Sequence, residues 1–141
     1  LPKSPRKNTA VIACIDARVE PNRILGGDQG DFHVIRNAGG LVTDDALRSL
    51  MVSQFHGTNK IIVMMHTDCA AMAYPAAAEK ARLEAGTGQR IDFDLHPFEE
   101  LETELRRGVD RLRETPFLPH RNYITGVIYD IETGRVNTVV E

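Results

Sequence analysis

Apolar and polar positions along this chain switch repeatedly between a strand-like run and a helix-like period. Thr9 to Ile15 is a nearly continuous apolar run of strand length, the pattern of a strand buried on both faces. Asp31 to Arg36, centred on Phe32-His33-Val34-Ile35, and Lys60 to Met65 read as two further short strands. Tyr123 to Asp130 and Arg135 to Val140 are joined by Ile131-Glu132-Thr133-Gly134, whose glycine suits a tight reversal. That last pair predicts an antiparallel hairpin on the sheet edge.

Helices fall between the strands. Thr43 is placed as an N-cap, Asp44 and Asp45 favour the positive end of a helix dipole, and Gly57 sits where a C-terminal glycine belongs. Leu47, Leu50, Met51 and Phe55 give that helix an apolar stripe. A helical turn is expected near Cys69. Pro75 should end or kink it before an alanine-rich stretch continues to about Ala85, stopped by Gly86-Thr87-Gly88. Pro97 suits the first turn of a further helix, in which Phe98, Leu101, Leu105, Val109 and Leu112 recur every three or four residues. Gly86 to His96 is expected to be a mobile loop.

This alternation predicts an α/β fold, a mostly parallel sheet covered by helices on both faces. A chain of 141 residues suits one domain, here 9–141 after a short N-terminal tail, 1–8. The chain begins with Leu1-Pro2 rather than methionine, which leaves open whether a leader or arm precedes it. Net charge of −3 and a pI near 6.0 argue against nucleic acid or an acidic membrane as partner. No apolar stretch approaches the ~18 residues needed to span a bilayer. Two cysteines 55 positions apart, at 14 and 69, do not suggest a secreted disulfide framework. A cytoplasmic location, where thiolates stay available, is the expectation.

Those cysteines carry the chemistry. Cys14 begins Cys14-Ile15-Asp16-Ala17-Arg18 and Cys69 ends His66-Thr67-Asp68-Cys69, each motif at or just after an apolar run. Ligands bind outside the carboxyl ends of strands in such sheets. If the first and third strands are neighbours, both motifs meet there. Cys14 alone is equally consistent with a small buried core residue. Cys14, Cys69 and His66 together suit zinc, with two thiolates, one imidazole and a fourth position left open, as in catalytic sites. A helix N-terminus at Cys69 would also favour its thiolate. Asp-x-Arg means little by itself. Beside such a centre, Arg18 can clamp Asp16 in a two-pronged contact and keep the carboxylate off the metal. Asp16 can then orient a water, or become the fourth ligand in a closed state.

With Gly30-Asp31-Phe32-His33-Val34-Ile35-Arg36-Asn37-Ala38-Gly39-Gly40 between them, these motifs resemble the β-class carbonic anhydrases, most closely the short prokaryotic branch. The resemblance extends from Ala10 to Val140. It implies a four-stranded parallel core with an antiparallel edge strand, and a homodimer or dimer of dimers. It also implies one zinc per subunit, held by Cys14, His66 and Cys69, with the Asp16–Arg18 dyad beside it. The implied activity is reversible hydration of carbon dioxide to bicarbonate by zinc-bound hydroxide. Hydrolysis of carbon disulfide or carbonyl sulfide on the same site is an alternative.

The family usually has glycine after the second cysteine, where this chain has Ala70. If that position needs φ > 0 or close approach to substrate, a Cβ is costly. This motivates a further alternative, a zinc-binding homologue that has lost turnover and serves in interaction or sensing. Only Leu1 to Asn8 precede the first strand, so the dimer is expected to rely on the sheet and central helices.

Asn37, Ala38, Gly39 and Ala70 are the candidate substrate contacts, with Asn37 also readable as a turn residue. Gly26-Gly27-Asp28-Gln29-Gly30 lacks the Gly-Lys-Ser/Thr ending of a phosphate loop and reads as a turn before the second strand. His33, His56, His96 and His120 could shuttle protons, although structural roles fit each better. A redox role for the cysteines is disfavoured, since no paired-thiol motif is present.

Overall fold

Five strands form one sheet in the computed structural model, which describes residues 1–141. They are β1 (Thr9–Cys14), β2 (Phe32–Asn37), β3 (Lys60–His66), β4 (Ile124–Tyr129) and β5 (Val136–Val140), in the spatial order β2-β1-β3-β4-β5. The first four are parallel, and β5 pairs antiparallel with β4 through the Asp130–Arg135 reversal. The expected four-stranded parallel core with an antiparallel edge strand is therefore what the chain forms.

From β1 the chain steps outward to β2 and then returns to the other side of β1 as β3. The sheet's topological switch point thus lies between β1 and β3, where a ligand crevice is expected. The carboxyl ends of β1 and β3 carry Cys14 and His66.

Side chains along each strand alternate between two cores. Ala10, Ile12, Ile61, Val63 and Met65 face a large cluster completed by Leu50 of α2 (Asp44–Phe55) and by Leu105, Val109 and Leu112 of α5 (Leu101–Arg113). Val11, Ala13, Met64 and Val127 face a smaller one, covered by Val19 and the short α1 (Pro21–Ile24). Helices therefore lie on both faces, unequally. Ile12, Leu50, Met64 and Leu112 are fully buried. Each contributes roughly 1.5–3 kcal/mol relative to an exposed side chain.

Two helix boundaries differ from the pattern-based reading, and a further short helix is not part of it. α5 begins at Leu101, not Pro97; Phe98 is buried in the main core from the irregular segment before the helix. α4 (Ala76–Thr87) continues through Gly86 and ends at Gly88, which takes the left-handed conformation. A lone glycine inside a helix costs only about 1 kcal/mol. α1 is four residues long, too short to show a period. Thr43 caps α2 as expected, its Oγ1 accepting from the Ala46 N–H.

The N-terminal segment lies against the entrance to β2. Arg6 N–H donates to Gly30 O, and Lys7 N–H to Asp31 O. His33 bonds Lys3 O through one ring nitrogen and the Ser53 hydroxyl through the other.

Candidate metal centre

The loop leaving β1 is held by Arg36 of the neighbouring strand. Its guanidinium donates to the carbonyls of Cys14, Asp16 and Val19, each at 2.8 Å. Gly40 tightens the opposite wall. At φ +67 it packs so closely that a Cβ would lie 2.9 Å from Met64 O and 3.1 Å from the Cys14 nitrogen. β3 ends in His66, and the next turn contains Asp68 at φ +53, one of three non-glycine residues in the left-handed region. That turn delivers Cys69 to the N-cap of α3 (Ala70–Ala73), a four-residue helix whose dipole is correspondingly small.

These loops bring Cys14, His66 and Cys69 together. Their donor atoms lie within 4.8 Å of one another, and all three residues are buried, at 3%, 1% and 3% exposure. Donors around a tetrahedral zinc stand about 3.5–3.8 Å apart, a spacing within that bound. His66 Nδ1–H donates to Thr67 O at 2.7 Å, which leaves Nε2 with a lone pair. Nε2 is buried and has no hydrogen-bond partner. A buried imidazole nitrogen so placed needs a cation or proton to satisfy it. Both cysteines are free thiols, and the Gly39 N–H donates to Cys14 Sγ at 3.3 Å. Two sulfurs, one imidazole nitrogen and a backbone amide on one sulfur fit zinc.

Asp16 and Arg18 meet as the motif suggests. Arg18 Nε and backbone N–H both donate to Asp16 Oδ1, at 3.0 and 2.8 Å, while Nη2 donates to Oδ2 at 2.8 Å. Those bonds hold the Asp16 carboxyl well below the usual carboxylate range, and Arg18 is raised in turn by Asp16 and Asp68. Asp16 Oδ2 also stands 3.7 Å from His66 Nε2.

A cavity of about 490 Å³ opens at this point, with Cys14 and Asp16 in its wall. Its apolar surface comes from Ile15, Ala38, Ala70, Ala71 and Leu95, with Tyr74 and His96 adding polar edges. Of the four candidate substrate contacts, Ala38 and Ala70 line it. Asn37 is spent on Leu41 instead, donating to its carbonyl at 2.8 Å and accepting from its N–H at 2.7 Å. Gly39 serves the Cys14 sulfur.

The arrangement has known counterparts. The sequence model for carbonic anhydrase matches residues 9–100. The chain is 37% identical to β-carbonic anhydrase 1 of Mycobacterium tuberculosis, over 99% of its length and 86% of that protein. The chain belongs to the β-class carbonic anhydrase family. A solved carbonic anhydrase from Streptococcus mutans superposes with a TM-score of 0.90 at 40% identity, covering 99% of this chain and 85% of that one. A carbon disulfide hydrolase from Acidithiobacillus thiooxidans is 35% identical, over 89% of this chain and 74% of that protein.

Ala70 departs from the glycine usual in this family. It is the first residue of α3 and is not among the positive-φ residues, so its Cβ causes no backbone strain. Residue type alone did not reveal Asp68, Leu95 or Tyr74 as part of the site. Their placement depends on loop geometry, and only the neighbouring motif residues signalled Asp68.

Proposed function

We propose that this chain is a zinc-dependent carbonic anhydrase that interconverts carbon dioxide and bicarbonate, with one zinc per subunit on Cys14, His66 and Cys69. What chiefly supports this reading is the partnerless Nε2 of His66, aimed at two free thiols beside a mostly apolar cavity. Zinc, when bound there, supplies a Lewis acid that makes hydroxide available from water near neutral pH.

The chain's own residues do the rest. Ile15, Ala38 and Ala70 offer carbon dioxide an apolar wall without competing for it by hydrogen bonds. Asp16, kept ionised by Arg18, is an acceptor at neutral pH and cannot give up a proton there. It orients the attacking water's hydrogen, leaving the oxygen lone pair toward the substrate. Arg18 fixes that carboxylate in one rotamer through three bonds. A proton leaves to buffer after each turnover.

A cytoplasmic setting agrees with two metal-binding thiols that oxidation would disable. A homodimer or dimer of dimers agrees with the exposed Met51, Val52 and Phe55 on α2.

The test is metal analysis with carbon dioxide hydration on wild type, Cys69→Ser and His66→Ala, with carbon disulfide as a second substrate. Stoichiometric zinc and hydration lost with the metal are expected. Wild-type protein that binds zinc yet hydrolyses only carbon disulfide would move the reading to that chemistry.

A further inference from the structure

Arg18 is engaged from two sides. Beyond its contacts with Asp16, Nη1 donates to Asp68 Oδ2 at 3.0 Å and Nη2 to Asp68 O at 3.0 Å. Arg18 and Asp68 follow different strands, 50 positions apart in sequence, so the guanidinium staples the β1 loop to the β3 loop. Asp68 makes these contacts from a left-handed turn, φ +53, immediately before Cys69. Asp and Asn tolerate that conformation better than other residues with a Cβ.

We propose that Asp68 is a positioning residue: its carboxylate and carbonyl anchor Arg18 so that Asp16 stays turned toward the guanidinium and away from His66 Nε2 and the two thiols. The proposal rests on the metal reading above. Asp16 Oδ2 is 3.7 Å from His66 Nε2, close enough that a modest swing brings the carboxylate among the donors. Arg18 bound to Asp16 alone can swing with it, since both leave the same loop. Arg18 bound also to Asp68 cannot, because that anchor is fixed to β3. The exposed Asp68 carboxylate adds little to stability by itself. Its effect lies in which way Asp16 faces.

The test uses full-length protein loaded with cobalt(II), whose visible absorption reports its donor set and the binding of thiocyanate. Four proteins are compared: wild type, Asp68→Asn, Asp16→Asn and the double variant. Asparagine keeps the left-handed turn and removes the charge; Asp68→Gly is a second variant that also keeps the turn and relieves its strain. Losing a negative charge strengthens anion binding through space by the same factor in both backgrounds, and this cancels in the cycle. With Asp16 present, removing the Asp68 carboxylate is expected to weaken thiocyanate binding by about fivefold relative to its effect in Asp16→Asn, the size of one exposed charged contact. Asp68→Gly, which removes the side-chain acceptor as well as the charge, should show an effect at least as large as Asp68→Asn. Equal effects in the two backgrounds would overturn the proposal while leaving the metal centre intact. Failure of wild-type protein to take up cobalt would overturn the metal reading and this inference with it.

Discussion

The Oδ2 atom of Asp16 stands 3.7 Å from Nε2 of His66, the ring nitrogen that no protein group satisfies. That distance is too long for a hydrogen bond. It keeps the carboxylate beside the centre without joining it, and Arg18 is what fills its acceptor positions. Replacing Arg18 by alanine should free the carboxylate to approach the donors. Hydration activity is expected to fall by about 10²-fold, the lower end for a lost acid–base or orienting group, with zinc content unchanged. Asp16→Asn should fall by a similar factor. Arg18→Lys should recover only part, because an ammonium cannot reproduce the two-pronged contact. Stopped-flow hydration alongside metal analysis decides this, and wild-type rates in Asp16→Asn would remove the pair from the mechanism.

Gly40 is where the backbone of the site is least forgiving. Its Cβ would meet Met64 O at 2.9 Å and the Ala13 and Cys14 backbone at 3.1 Å, from a left-handed φ of +67. Gly26 has almost the same φ, +69, but open space where a Cβ would go. Gly40→Ala should destabilise by about 2–4 kcal/mol, combining conformational strain with a clash that neither strand can relieve. Gly26→Ala should cost about 1 kcal/mol, from the conformation alone. Denaturant unfolding of the two variants measures the difference. Gly40→Ala should also lose zinc, since it displaces the Cys14 backbone.

The strands and metal donors were legible in the sequence for different reasons. β1 and β3 are buried runs bounded by polar residues, so their apolar stretches locate them to within a residue or two. His66 closes β3 rather than following it, because its backbone still pairs opposite Tyr129. Cys14, His66 and Cys69 announce their chemistry by residue type, whatever their rotamers. The Arg18–Asp68 contact was not legible, as it depends on one residue's left-handed φ and a reach between loops. Nor was the fate of Asn37, whose amide fits both a substrate and the Leu41 turn until coordinates place it. The start of α5 was misplaced because Phe98 continues the helix's apolar period while standing outside the helix.

Asp31 gives the N-terminal segment an acid-sensitive fastening. The Asp28 N–H donates to its Oδ2 at 2.9 Å, and Arg6 Nε donates to its Oδ1 at 2.8 Å. Both hold its carboxyl below the ordinary carboxylate value, the Asp28 amide most of all. A depressed folded-state pKa stabilises the protein above the unfolded value of about 3.9. That stabilisation is lost as pH falls through the lower folded value. Thermal melts of metal-loaded wild type and Asp31→Asn should therefore differ most above pH ~5 and converge as the solution is acidified below ~4. A constant difference across that range would show that the carboxylate's charge plays no part. Loss of metal at low pH affects both proteins alike and drops out of the comparison.

Substituting Ala70 distinguishes an active enzyme from an impaired homologue. The residue opens α3 in helical conformation, so no left-handed φ is being forced on a side chain, and its Cβ forms part of the cavity wall with Ala38 and Ile15. A methyl group there narrows a cavity of about 490 Å³ only slightly, and carbon dioxide is small against that volume. Ala70→Gly should change kcat/KM for carbon dioxide hydration by no more than about twofold, since it relieves no strain. It should lower stability by roughly 0.5–1 kcal/mol, from the added backbone freedom of glycine at a helical position. If glycine instead raised a negligible wild-type rate to that of an efficient enzyme, the Cβ would be the block, and the natural chain would be a zinc-binding relative without turnover. The two outcomes are separated by one substitution and one stopped-flow trace, because zinc content is expected to be the same in both proteins.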